Sequence, residues 1–238
     1  MKVLAYMPIH YGKQFLREAI LAIHPHVDKI IIFYTKHPSY GHNAHLTAPE
    51  TENELRQIAF GASTKIMWSN GSYGFEGHHR SQVWEYSKGY DLILPVDADE
   101  VWDSDILRTA LDEAITRPEK QFGVDGFVNF WKSFNEVCID SYRPIRIINP
   151  NGQGTGEIKG KVYHFGYCIS EKLMRYKWEI HGHKDELIPN WIDEVYLSDR
   201  KNDLHPVAHG IWNAEPFDKN TLPEILKIHP DFNKENCT

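Results

Sequence analysis

The run Asp91-Leu92-Ile93-Leu94-Pro95-Val96-Asp97-Ala98-Asp99-Glu100 decides how the rest of the chain is read. The apolar stretch Leu92–Val96 is too short for a helix buried on all sides and suits a strand covered on both faces, as in a parallel sheet. Its abrupt change to acidic residues marks the carboxyl end of that strand, and ligands of open α/β sheets bind beyond such ends. Alternate side chains of extended chain point the same way, so Asp97 and Asp99 can converge on one hard cation and leave positions for phosphate oxygens and water.

Upstream the pattern repeats. Val3–Ile9 reads as a buried strand, followed by Phe15, Ala19 and Ile23 at helical spacing. Ile30–Thr35 is a second β-branched and aromatic run, and a His/Pro/Gly/Tyr-rich loop over residues 36–50 follows it. Glu52–Phe60 reads as a helix, Lys65–Trp68 as a strand, Gly71–Gly77 as a loop and His78–Ser87 as a helix; after the acidic run, Ser104 is placed to cap a further helix. Strands alternating with helices predict an α/β fold with an open, mixed but mainly parallel sheet flanked by helices.

Beyond residue 123 the chain changes character. Gly126–Phe134, Val137–Asp140, Pro144–Asn149 and Lys161–His164 read as short aromatic strands broken by the turn Asn149-Pro150-Asn151-Gly152, and Glu171–His181 and Leu222–Ile228 as helices. The expected organisation is one domain over 1–238. Residues 1–122 form a ligand-binding half, and 123–238 form a smaller aromatic-rich half with a C-terminal helical extension.

The 238 residues carry 33 acidic and 26 basic side chains, 41% hydrophobic residues and a net charge of −7, a globular composition that excludes wholesale disorder. Charge is uneven along the chain: residues 91–119 hold nine acids and two bases, whereas residues 143–184 hold eight bases and three acids. That asymmetry suits an acidic metal site facing a basic segment that meets phosphates, or two solvated faces that differ. No apolar stretch approaches the roughly 20 residues of a membrane-spanning helix. Val3–Met7 is too short for the core of a secretory signal, so a cytoplasmic location is expected. Cys138, Cys168 and Cys237 are widely separated and lack CxxC spacing, and read as reduced thiols.

The flanks of the acidic motif sort the known site types. A calcium loop starting at Asp97 needs glycine and glutamate where Trp102 and Arg108 stand. An aspartate-nucleophile phosphatase with Asp97 as nucleophile fits Asp97-Ala98-Asp99-Glu100-Val101, although such enzymes usually carry the motif on their first strand. The first half as a whole resembles the GT-A-fold glycosyltransferases, in particular the family-2 group that uses nucleotide-sugar donors. The resemblance rests on Tyr6-Met7-Pro8-Ile9-His10 ending the first strand, on Gly77-His78-His79-Arg80 opening a helix, and on the strand feeding Asp97-Ala98-Asp99-Glu100. Downstream, Tyr163-His164-Phe165-Gly166-Tyr167 with the following Lys172, Arg175 and Lys177 resembles the segment such enzymes fold over the donor, and Leu222–Pro230 a closing segment of bacterial and viral members. Tyr34-Thr35-Lys36-His37 departs from the family, which commonly has acidic residues there.

The resemblance implies a metal-dependent, inverting transfer of a sugar from a UDP-linked donor to an acceptor hydroxyl. Asp99 would bind Mn²⁺ or Mg²⁺ bridging the donor diphosphate, Asp97 would bind ribose or the metal through water, and His164 would complete the ligand set. Pro8, His10, Tyr11 and Tyr34 would line the nucleotide pocket, with Arg80 on donor phosphate or ribose. The base that takes the acceptor proton would be Asp185 or Glu186, or else Asp140 in the aromatic region. Trp131, Phe134, Tyr142, Tyr163 and Tyr167 are candidates for a stacking platform or for core. The acceptor would be a glycan or, given the basic segment, a modified nucleic-acid base. A binding module without turnover is the non-enzymatic alternative. His181-x-His183 and His205-x-x-x-His209 have zinc-like spacing but lack the glutamate of an HExxH helix and read as structural.

Overall fold

The computed structural model describes residues 1–38, 46–139, 141–182, 184–207 and 210–237. In chain order its elements are β1 (Val3–Ile9), α1 (Lys13–Ile23), β2 (Lys29–Thr35), α2 (Glu52–Ala62), β3 (Ile66–Gly71), α3 (Glu76–Ser81), β4 (Leu92–Pro95), β5 (Glu100–Trp102) and α4 (Ser104–Ala114). Then follow β6 (Gln121–Trp131), β7 (Glu136–Cys138), β8 (Ile145–Ile148), β9 (Thr155–Tyr167), α5 (Glu171–Glu179), β10 (Ala214–Pro216) and α6 (Glu224–Lys227). They belong to two compact units. The first comprises Met1–Gly41, Glu50–Phe127 and Tyr142–His164; the second comprises His42–Pro49, Val128–Ser141 and Phe165–Thr238.

The first unit is an α/β sheet. β3, β2, β1 and β4 lie side by side and parallel, in that order. β8 then adds antiparallel to β4, and the start of β6 antiparallel to β8. β1, β2 and β4 are almost wholly apolar because both of their faces are covered. Leu4, Tyr6, Ile31, Phe33, Val83, Ile93 and Ile148 form one buried cluster, and Phe15, Leu16, Ala19, Ile20 and Ile23 supply the buried stripe of α1. α2 starts in a capping box: the Thr51 hydroxyl accepts from the Glu54 amide at 3.3 Å, and the Glu54 carboxylate accepts from the Thr51 amide at 2.8 Å.

In the second unit β7 pairs with the end of β6 on one side and with β10 on the other. Its core is aromatic, with Phe130 stacked on Phe165 at 4.6 Å and Trp178 stacked on Trp191 at 4.8 Å.

Several boundaries differ from the sequence expectations for local reasons. β9 begins at Thr155 rather than Lys161, because Thr155, Glu157 and Lys159 are its exposed positions and break the apolar signal. Asp103, not Ser104, caps α4 by accepting from the Ile106 amide at 3.3 Å; the Ser104 hydroxyl is engaged by His26 at 2.8 Å. The helix expected over 78–87 is α3 followed by a 3-10 turn, Gln82–Glu85. The loop over residues 36–50 lies in part outside the described residues.

Candidate active site at the carboxyl ends of β1 and β4

With β1 flanked by β2 on one side and β4 on the other, the strand order reverses beside β1, and the crevice of such a sheet opens between the loops that leave β1 and β4. Those loops touch. Gly12 has φ 123°, and a Cβ placed on it would lie 2.6 Å from the Cβ of Ala98. The residue between the two aspartates must therefore be small, and the residue facing it must be glycine. The Glu50 carboxylate accepts from the Gly12 and Lys13 amides at 2.6 and 2.9 Å and so closes the start of α1. Burial pushes the Glu50 carboxyl up, against the pull of those two bonds.

Asp97 sits in a double guanidinium fork. Its Oδ1 lies 2.9 Å from Arg80 Nη1, and its Oδ2 accepts from Arg80 Nη2 and from Arg146 Nη2, each at 3.1 Å. Burial alone would raise this carboxyl, but Arg80 and then Arg146 carry it well below the ordinary carboxylate range. Arg80 is held from its other side by Glu76 at 2.7 Å. Arg146 also grips Glu100 through both carboxylate oxygens, donating from Nε at 2.6 Å and from Nη2. Glu100 is 1% exposed, and its burial, opposed by Arg146, pushes its carboxyl up.

Asp99 faces the other way. Its Oδ2 lies 3.7 Å from His164 Nε2, because β5 pairs antiparallel with β9 and sets Glu100 opposite His164. The His164 ring stacks on Phe127 at 5.2 Å, Tyr142 stands edge-on to Phe127 at 6.2 Å, and the Arg146 guanidinium lies over the Phe127 ring at 5.8 Å. A row of aromatic rings thus runs from the Asp99–His164 pair out to Tyr142, which is 63% exposed.

Around the end of β2, His10 donates from Nδ1 to the Thr35 carbonyl at 2.8 Å, and His79 donates from Nε2 to the Phe33 carbonyl at 2.7 Å. Burial lowers both imidazoles, His79 to about 4, so His79 is neutral at pH 7. Tyr34, opposite Ile9 in the β1–β2 register, packs against Trp68 at 5.6 Å. Pro8 and Tyr11 are half-buried.

The structure therefore brings Asp99 to His164 and Asp97 to Arg80, and does not bring Asp97, Asp99 and His164 together as one ligand set. Among the described residues no three His, Cys, Asp or Glu side chains converge as a metal cage. The donor set still fits a divalent ion: Asp99 and His164 offer a carboxylate oxygen and an imidazole nitrogen, and four carboxylates (Glu76, Asp97, Asp99, Glu100) meet only two guanidiniums here, which leaves a formal excess of two negative charges.

Asp185 and Glu186 lie exposed in a 3-10 turn, Lys184–Glu186, of the second unit, and Asp140 is outside the described residues. Of the aromatic candidates, Trp131, Phe134, Tyr163 and Tyr167 are 1%, 0%, 0% and 9% exposed and are core, which leaves Tyr142 as the accessible one. Arg175 pairs with Glu171 and Asp193, and Lys177 donates to the Gly166 carbonyl, so both have local partners. His183 and His209 lie outside the described residues, and His205 packs on Trp212 at 4.6 Å.

Sequence reasoning missed Arg146, Phe127 and the role of Glu100. The signal for Arg146 was present: a single arginine inside the apolar strand run Ile145-Arg146-Ile147-Ile148 announces a buried charge that needs a carboxylate partner.

Among the described residues no helix is long and apolar enough to cross a membrane. No protein-family model matches the chain, and neither does any curated protein. Among solved structures it is similar to S. aureus TarS 1-349, at 15% identity over 63% of this chain and 47% of that one, with a TM-score of 0.42. It is also similar to the same protein in complex with UDP-GlcNAc, at 17% identity over 54% and 36% of the two chains, with a TM-score of 0.40. A third is glucosyl-3-phosphoglycerate synthase from Mycobacterium tuberculosis in complex with Mn²⁺, UDP-glucose and phosphoglyceric acid, at 10% identity over 53% and 43%, with a TM-score of 0.36. The chain spans less than half the length of each of these structures.

Proposed function

We propose that this chain is a metal-dependent glycosyltransferase that moves a sugar from a nucleotide-sugar donor, UDP-linked, to an acceptor hydroxyl with inversion. The observation that carries the reading is the division of labour between the two aspartates: Asp97 is locked by two arginines, while Asp99 is turned to His164 at the mouth of the sheet. Asp99 and His164 would hold Mn²⁺ or Mg²⁺, which when bound offsets the charge that builds on the departing diphosphate. Arg80, 31% exposed at its side chain, meets donor phosphate or ribose, and Asp97 fixes its direction. Pro8, His10, Tyr11 and Tyr34 line the nucleotide pocket. The proton of the attacking hydroxyl passes to a carboxylate, for which Asp185 and Glu186 are the candidates. Tyr142 and Phe127 form a wall on which the acceptor ring lies, whether the ring of a glycan or a nucleobase.

The arginine fork weighs against Asp97 as a phosphatase nucleophile, since a carboxylate with both oxygens bound to guanidiniums is poorly nucleophilic. The test is donor turnover: Mn²⁺-dependent release of UDP from a panel of UDP-sugars, with p-nitrophenyl phosphate as control. Hydrolysis of the phosphate ester without any sugar donor would favour the phosphatase, and binding without release a non-catalytic module. Within a turning-over enzyme, Asp185→Asn or Glu186→Gln should cut kcat sharply and leave donor affinity near wild type.

A further inference from the structure

Cys138, Cys168 and Cys237 look unrelated in sequence, yet the fold of the second unit gathers them. All three are buried and none is in a disulfide. The Cys168 and Cys237 thiols are hydrogen-bonded to each other, and Cys138 is near enough to act on Cys168 electrostatically. Neighbouring main-chain groups fix the pair: the Cys237 amide donates to the Lys132 carbonyl at 2.6 Å, and the Cys168 Sγ lies 3.5 Å from the next carbonyl, that of Ser133. The Lys132 amide in turn donates to Tyr167, the residue before Cys168, at 3.1 Å. Among the described residues no three His, Cys, Asp or Glu side chains form a cage, the cysteines included. A cavity of about 310 Å³ in the same unit is lined in part by Lys132 and Ser133, whose carbonyls hold the pair, and by Glu235 and Asn236, the last being the chain neighbour of Cys237.

We propose that Cys168 and Cys237 are a dithiol pair that a hydroperoxide entering this cavity oxidises to a disulfide. Cys237 is the attacking sulfur. Its hydrogen bond from Cys168 lowers its thiol, with Lys234 adding to the effect, whereas burial pushes the Cys168 thiol well up. Cys237 is also the more accessible, at 9% exposed against 0%. Its thiolate attacks the outer oxygen of ROOH, the O–O bond breaks, ROH leaves with a proton, and Cys237 becomes a sulfenic acid. The Cys168 sulfur then attacks the Cys237 sulfur, the S–O bond breaks, and water departs with the Cys168 proton. The two thiols lose two electrons in all, and ROOH is reduced to ROH and water. The product ties the chain around Cys237 covalently to the end of the β9 segment and closes a long loop, which restricts the unfolded chain.

The test uses the full chain. It is treated with hydrogen peroxide at equimolar dose, alkylated in denaturant and digested with trypsin without reductant. The expected product is a cross-link between peptides 162–172 and 235–238, formed also in Cys138→Ser, absent in Cys237→Ser and reversed by dithiothreitol. The oxidised chain should also melt at a higher temperature than the reduced one. Three fully alkylated thiols after treatment, a link that instead contains peptide 133–146, or Cys237 oxidised to sulfinic acid with Cys168 still free would each overturn the assignment.

Discussion

Replacing Arg146 by glutamine tests the buried charge network on which the acidic motif stands. Arg146 is 12% exposed at its side chain and Glu100 is 1% exposed, so removing the guanidinium leaves a carboxylate with almost no access to water. Breaking a buried pair on one side costs about 3–5 kcal/mol; the residual exposure of Arg146 and the loss of only one of the two arginines on Asp97 put the expectation near the lower end, about 3 kcal/mol. Removing the orphaned charge as well, in Arg146→Gln/Glu100→Gln, should return stability to within about 1 kcal/mol of wild type, since replacing both partners avoids the unpaired charge. The penalty also has a sign in pH. Burial raises the Glu100 carboxyl, and without Arg146 the main pull against that rise is lost, leaving only the weaker effect of His164. A group whose folded pKa lies above its unfolded value contributes stability at pH below the unfolded carboxyl range, about 4.3, and loses it as pH climbs through the folded value. The single variant should therefore lie closer to wild type at pH 5 than at pH 8. Urea unfolding of the three proteins at both pH values reads all of this. A single variant within 1 kcal/mol of wild type at pH 8, or a double variant no better than the single, would refute the reasoning.

Other expectations follow from single contacts. Thr51→Ala removes one half of the capping box on α2 and should cost about 1 kcal/mol in urea unfolding. Gly12→Ala forces a side chain into a left-handed conformation and a 2.6 Å approach to Ala98, so a loss of about 1–3 kcal/mol, together with weaker UDP binding in a titration, is expected. Tyr142→Ala removes an exposed ring and should leave the melting temperature unchanged; if the ring stacks on the acceptor, KM for acceptor rises roughly five-fold, the equivalent of about 1 kcal/mol, with KM for donor unchanged.

The parallel half of the sheet was legible in the sequence because its strands are apolar on both faces and its helices carry one apolar stripe. The run Leu92–Val96 followed by Asp97 located the carboxyl end of β4 for the same reason. What could not be read were contacts made by residues distant along the chain. Arg146 reaches Asp97 and Glu100 because β8 pairs with β4, and Phe127 reaches His164 because β6 and β9 are neighbours; no local spacing encodes either approach. The three-residue strands β5 and β10 were missed because three residues carry no usable periodicity. The aromatic residues after residue 123 read either as a stacking platform or as core, and in the second unit they are the core itself: Trp131, Phe134 and Tyr167 pack edge-on or tilted against other rings. The two uses of aromatic residues have the same composition and differ only in what surrounds them.

The most direct test of the proposed site is a titration of Mn²⁺ into the protein with UDP present, followed by electron paramagnetic resonance of free Mn²⁺, for wild type, Asp99→Ala, His164→Ala and Asp97→Asn. If Asp99 and His164 hold the ion, Asp99→Ala loses Mn²⁺ binding, His164→Ala weakens it about ten-fold or more, and Asp97→Asn retains it while UDP affinity falls through the loosened Arg80. Wild-type Mn²⁺ binding in Asp99→Ala, or its loss in Asp97→Asn alone, would contradict the division of roles between the two aspartates.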